Sequence, residues 1–317
     1  MLVDLHKIAI NEIEKISGGE NKMLTIRIEE KVEIEKLITL NEILDKENFL
    51  ISVIIESGNS LLDNKVSGIY VFPYLSNVTK LKIYVSDYDE KLENLNFLKS
   101  INNLSYLDIS TNARKNLRFD ELVKFPAIKH FSYLCEGLNN EQNFYINNFS
   151  ELKYLAVYDL NMELLRGNAS INELRVHRKL INPKLFTEKF PNIENLVLEK
   201  CSDLDFQKDI ANHPNLVSIS LRYMNSIYEV PKFKNPGKIK KVSLLGLRNL
   251  KALDNITEMN NLEVLEITNI QNIKIESFLI LKELKKLKSL YIVFEKADLN
   301  TEFEKFAIKN GLPIFIE

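Results

Sequence analysis

Apolar residues recur along this chain in a fixed unit of three: one apolar position, a second three residues later, and a third two beyond that. The middle positions are Leu81, Leu107, Phe131, Leu155, Leu174, Leu196, Ile219, Val242, Leu265 and Leu290, at intervals of 19 to 26 residues. Val78, Leu104, Ile128, Leu152, Ile171, Ile193, Leu216, Ile239, Leu262 and Leu287 precede them, and Ile83, Ile109, Tyr133, Val157, Val176, Leu198, Leu221, Leu244, Ile267 and Ile292 follow. The last two apolar positions have period two, which predicts a short strand burying one side and exposing the residues between. About 14 to 20 residues separate one strand from the next, too few for a βαβ unit of roughly 30. The chain must therefore coil, laying strand beside strand in parallel about 4.8 Å apart.

Between strands the pattern changes to every third residue, as in Leu247, Leu250, Leu253, Ile256, Met259, Leu262 and Leu265. That period suits 3-10 turns. Residues 183–190, 205–212 and 277–286 look like short helices, so the return side is expected to be mixed. Pro126, Pro191, Pro214 and Pro236 stand where each return enters its strand, and proline ends a helix there.

At these positions the chain resembles the leucine-rich repeat family, in irregular 22–26-residue copies. The resemblance implies an α/β leucine-rich-repeat solenoid, a right-handed curved horseshoe with a parallel β-sheet on the concave face and mixed short helix and 3-10 returns on the convex face. It also implies protein recognition on the concave sheet. The family's internal Asn or Cys, three residues after the third apolar position, is matched by Asn112 and Cys201 but replaced by Ser86, Leu160, Met224, Leu247 and Ile270.

Three regions follow. Residues 1–75 form an N-terminal cap or degenerate first repeats, with an amphipathic helix through Leu2, Leu5, Ile8, Ala9, Ile13 and Ile16 stopped at Ser17-Gly18-Gly19. A strand at 24–28, a helix through Ile34, Leu37, Ile38 and Leu44, and a strand at 49–55 complete it. Repeats occupy 76–296. Residues 297–317 supply a capping helix around 302–310 and a last strand at 311–316. No linker interrupts the chain, and the longest apolar run falls short of the roughly 18 residues a membrane span needs.

Composition adds little. The chain is 45% hydrophobic and 27% charged, with a net charge of −2, so no strongly basic face points to nucleic acid. Lys282, Lys285, Lys286 and Lys288 read as a solvated surface. Cys135 and Cys201 lack metal spacing and read as structural; no secretory signal opens the sequence, and the expected location is cytoplasmic. No phosphate loop or metal motif appears, and the four histidines are scattered. Neither catalysis, a cofactor nor a metal is expected.

The outward strand residues carry the functional expectation, because in-step parallel strands place equivalent residues side by side. One row reads Lys80, Tyr106, His130, Tyr154, Glu173, Asn195, Ser218, Lys241, Val264, Ser289. The next reads Lys82, Asp108, Ser132, Ala156, Arg175, Val197, Ser220, Ser243, Glu266, Tyr291, and the third Tyr84, Ser110, Leu134, Tyr158, His177, Glu199, Arg222, Leu245, Thr268, Val293. Tyr and Arg dominate binding hot spots, so the expected protein-binding patch is Tyr84, Tyr106, His130, Tyr154, Tyr158, Arg175, His177, Glu199 and Arg222, with Ser132 and Ala156 leaving room between. The bland alternative is that these residues merely pair across the ladder. The expected function is a non-catalytic module that binds another protein, as an inhibitor, immunity factor or adaptor, monomeric and without nucleic-acid or membrane partners. The competing class is an assembly protein using its convex side or end caps. Leu265→Ala is expected to destabilise the fold, and Tyr154→Ala to leave the unfolding midpoint nearly unchanged.

Overall fold

A computed structural model describes residues 2–13, 15, 24–56, 61–62, 64–85, 92–111, 117–201 and 203–313. The chain divides into two compact units, residues 1–158 and 159–317.

In the first unit the strands are β1 (Leu2–Asp4), β2 (Thr25–Ile28), β3 (Val32–Glu33), β4 (Leu50–Ile55), β5 (Leu61–Leu62), β6 (Lys65–Val66), β7 (Lys80–Val85), β8 (Tyr106–Thr111), β9 (His130–Tyr133) and β10 (Tyr154–Asn161), the last ending beyond residue 158. The order β1-β2-β4-β7-β8-β9-β10 is parallel throughout. The short strands β3, β6 and β5 form a separate antiparallel sheet. The second unit holds β11 (Glu173–Ile181), β12 (Asn195–Glu199), β13 (Ser218–Arg222), β14 (Lys241–Leu245), β15 (Val264–Ile270) and β16 (Ser289–Phe294), again parallel and in sequence order.

All ten middle apolar residues lie on strands, and none is more than 2% exposed. The registers pair them directly, Leu81 with Leu107, Leu107 with Phe131 and Phe131 with Leu155 in one unit, and Leu174 through Leu290 in the other. Each unit is thus a stack of short repeats, with the returns behind a parallel sheet. Phe119 packs edge-on against Phe131 and Tyr133 in the first unit. Phe278 does the same against Phe294 and Phe303 in the second.

Where the apolar spacing is three, the return is 3-10: Asn96–Ser100, Asp120–Lys124 and Asp254–Glu258. Ile275–Glu283 is 3-10 as well, although residues 277–286 were expected to be helical. The reason is visible in Ile275, Phe278, Leu281, Leu284 and Leu287, which are all buried at three-residue spacing. Residues 186–189 and 206–209 are α-helical as expected. A helix that the apolar pattern did not announce, Asn140–Ile146, starts at a reciprocal cap in which Asn139 and Gln142 each accept from the other's backbone N–H.

The expected N-terminal helix does not form. Leu2–Asp4 instead pairs with Thr25–Arg27 as an edge strand, a single 3-10 turn follows, and only Ile10–Ile13 is α-helical. Arg27 Nε donates to Asp4 Oδ1 at 2.6 Å, a side-chain bond between the paired strands. The Arg27 guanidinium, with Lys7 beside it, holds the Asp4 carboxyl well below the usual carboxylate range. The helix Ile34–Leu44 forms, burying Leu37, Leu40 and Leu44, but Ile38 is exposed. The C-terminal helix runs from Ala297 to Asn310, five residues longer than expected at its start, and ends on Gly311 in the left-handed conformation. Leu290 N–H donates to the Pro313 carbonyl; residues 314–316 of the expected last strand, Ser17-Gly18-Gly19, Ser86 and Asn112 lie outside the described residues.

At the internal position, Cys201, Leu160, Met224, Leu247 and Ile270 are all buried. Burial pushes the Cys201 thiol up to about 12, so it stays a thiol, its sulfur 3.5 Å from the Glu199 carbonyl. The coil-to-coil asparagines sit elsewhere, at the entry to the strand. Asn192 donates to the Ala169 carbonyl, Asn215 to Pro191 and Asn235 to Pro214. A second ladder closes the strand ends: Lys200, Tyr223, Gly246 and Asn269 have φ of 53 to 62°, and the amides of the first three donate to Arg222, Leu245 and Thr268 on the next strand.

Candidate protein-binding face

In the first unit, the register places Lys80, Tyr106, His130 and Tyr154 in one line across β7 to β10. The middle rings stack: Tyr106 and His130 have centroids 3.8 Å apart at 11°, and His130 and Tyr154 3.8 Å apart at 6°. Rings at this spacing lie closer than the strands that carry them, so they lean together and hide their faces from water. Such pairs contribute about 0.5–1.5 kcal/mol beyond simple burial. All three stacked residues remain half-buried.

The row beside the stack is Lys82, Asp108, Ser132 and Ala156. Ser132 is 3% exposed and Ala156 fully buried, so these small residues do not leave open space as expected. With large rings in the adjoining row, a side chain this short is covered. Asp108 pays for the same covering: its Oδ1 is buried without a hydrogen-bond partner, and Lys82 Nζ lies 3.6 Å from Oδ2. Burial pushes this carboxyl above its ordinary range against the pull of Lys82. In the third row Tyr84 is 45% exposed, while Tyr158 is half-buried.

The second unit presents charge instead. Arg175 donates through Nε and Nη2 to Glu173 Oε1 at 3.0 and 2.8 Å, two residues along the same strand. His177 Nδ1 stands 3.4 Å from Glu199 Oε2. Burial lowers the His177 pKa, Glu199 opposes this, and the positive charges of Arg175 and Arg222 add to the lowering. Lys241 donates to Glu266 Oε1 at 2.8 Å. Arg222 is different: its Nε donates to Ser220 Oγ at 3.1 Å, and among the described residues no carboxylate comes within 4 Å of it.

The nine candidate residues therefore fall into two groups. Tyr106, His130 and Tyr154 are brought into contact, with Tyr84 and Tyr158 on a separate row of the same unit. His177 and Glu199 pair, Arg175 turns to Glu173, and Arg222 does not join the cross-strand pairing that the bland alternative called for. Asp108 and Ser220 were passed over as site residues, although both stand in the written rows. A carboxylate with Lys82 and Ser132 as its row neighbours, and a serine two positions before an arginine, were the available signals.

Other concavities are shallow. One of about 570 Å³ in the second unit is bordered by Asp203, Asp205, Gln207, Tyr228 and Glu229; another of about 680 Å³ in the first unit is bordered by Asn48, Thr79, Ser105, Lys124 and Glu151. Among the described residues no three His, Cys, Asp or Glu side chains are grouped to hold a metal. No described helix is long and apolar enough to cross a membrane.

No protein-family model and no curated protein matches this sequence. Among solved structures, the chain is similar to an internalin (inlF) from Listeria monocytogenes, with 12% identity over 84% of this chain and 87% of that one and a TM-score of 0.39.

Proposed function

We propose that this protein is a non-catalytic binding module that recognises a partner protein through the solvent side of its parallel strands, as an inhibitor, immunity factor or adaptor. Residues 1–75 and 297–317 serve as the end caps of the repeats, and the chain works as a cytoplasmic monomer. The observation that supports this most is the Tyr106–His130–Tyr154 stack. Three large amphipathic side chains are stacked on adjacent strands and only half-buried, which gives a partner a preorganised surface at little further entropic cost.

The test is capture from the native cell by wild-type protein and by a Tyr106→Ala, His130→Ala, Tyr154→Ala variant, followed by reconstitution with the purified partner. A partner that binds wild type directly and loses at least tenfold in affinity with the folded variant is the expected result. Equal binding by both would move the interaction to the return side or the caps, and with it the function to the assembly class.

A further inference from the structure

We propose that Arg222 is a specificity determinant that requires a single carboxylate side chain from the partner protein. This rests on the reading of the strand face as the docking surface and names the chemistry of one contact there. A guanidinium has five N–H donors in a planar fork, and at Arg222 one, Nε, is spent on Ser220 Oγ at 3.1 Å. That bond fixes the plane of the fork and leaves both Nη groups to donate. Glu199, its register partner on β12, has its carboxylate turned to His177 at 3.4 Å and Lys200 at 3.9 Å.

Arg222 stands between Glu199 and Leu245 in its own row, and in the adjoining row Ser220 pairs with Val197 and Ser243 on either side. The hydroxyls of Ser220 and Ser243, in the row beside the guanidinium, can add donors. A partner lying on this surface removes water from Arg222, and a desolvated guanidinium without an acceptor is costly. The partner must therefore bring an acceptor, and a carboxylate meets the fork with two parallel hydrogen bonds.

Charge count favours one carboxylate over a polyanion. Arg175 and Lys241 each face a carboxylate of their own, Glu173 and Glu266, and Glu199 lies against His177 and the cation of Lys200. One positive charge is left uncompensated, while three carboxylates stand ready to repel a phosphate backbone. The complement is an Asp or Glu within an otherwise uncharged or mixed segment.

The experiment selects a displayed library of random 12-residue peptides on the full chain and measures the selected peptides by calorimetry. Each is titrated into wild type, Arg222→Gln and Tyr154→Ala, in its original form and with its acidic residue replaced by the amide. The expected result is a peptide whose Glu→Gln or Asp→Asn change weakens wild-type binding about tenfold or more, and binding to Arg222→Gln by less than about twofold. Arg222→Lys, which keeps the charge and loses the fork, should fall between. Amide replacement that weakens wild type and Arg222→Gln equally overturns the assignment. Peptides lost with Tyr154→Ala but indifferent at Arg222 also overturn it and leave the strand-face reading standing. Peptides indifferent to both substitutions, or a selection that yields none, overturn both.

Discussion

The two units build the same ladder and finish its outer side in opposite ways. On the first, three outward rings stack on one another beside a row in which a serine and an alanine are buried, and one oxygen of a carboxylate is buried without a partner. On the second, the outward residues form separate ion pairs across small neighbours, and one arginine is left over. The inward rows are alike in both, because closing the coil allows little else. The contrast shows that a repeat fixes where an outward residue stands without fixing whether it contributes to stability or remains available to a partner.

The largest effect expected is on what the units share. Leu107 in the first and Leu265 in the second are both fully buried, so Leu→Ala at either should cost about 2–5 kcal/mol in denaturant unfolding, from lost transfer energy and the cavity left behind. A loss below about 0.5 kcal/mol at either site would break the equivalence of the inward rows.

A smaller effect is confined to the second unit. Gly246 has φ of 62°, and a Cβ there would lie 2.6 Å from the ring of Tyr223. Gly246→Ala should cost about 1–3 kcal/mol, combining backbone strain with a clash. Adding Tyr223→Ala should recover the clash and leave the strain, so the double variant should be more stable than Gly246→Ala alone. A double variant no more stable than the single one would show that the ring moves aside freely.

The ten strands, their inward residues and their lateral rows were legible because period two and in-step pairing are properties of spacing alone. The N-terminal segment misled because Leu2, Leu5, Ile8, Ala9 and Ile13 fit a helical period, while the pairing with Thr25–Arg27 is nonlocal and leaves no mark within the segment. The 3-10 character of Ile275–Glu283 was written in its three-residue spacing, and the helix Asn140–Ile146 in its capping pair rather than in any apolar period. The membership of the face could be read, but not its contacts. Nothing in the rows tells that His130 stacks on both tyrosines, or that Glu199 chooses His177 and leaves Arg222 alone. Those outcomes depend on side-chain rotamers and relative reach, which spacing does not encode.

The stack alters one expectation directly. Tyr154 was expected to be neutral to stability, but its ring covers His130 at 3.8 Å, so Tyr154→Ala should cost about 0.5–1.5 kcal/mol, and His130→Ala, which removes both stacked pairs, about twice that. Thermal unfolding of the two variants ranks them; equal losses would mean that the rings lie together without coupling.

Stability also depends on pH through buried histidines. In the second unit, His213 is buried with Nε2 2.9 Å from the Phe190 carbonyl, and burial lowers its pKa, as it does for His177. A histidine whose folded pKa is depressed binds its proton more readily when unfolded. The stability it contributes is therefore full above the unfolded value of about 6.5 and declines as pH falls below it toward the folded value. Unfolding midpoints of wild type should drop between pH 7 and 5 more steeply than those of His213→Gln, and parallel curves would remove His213 as a cause.

The smallest effect belongs to Arg222. Among the described residues its side chain bonds to Ser220 Oγ and to no carboxylate, so Arg222→Gln should change stability by no more than about 0.5 kcal/mol. Tyr154→Ala, at an outward position in a different row of the other unit, should exceed it. This ordering tests the contrast itself: a residue that the fold uses is paid for in stability, and one held for a partner is silent until the partner arrives. If Arg222→Gln destabilised the protein as much as Tyr154→Ala does, the arginine would belong to the fold's own network, and the two faces would differ in composition only.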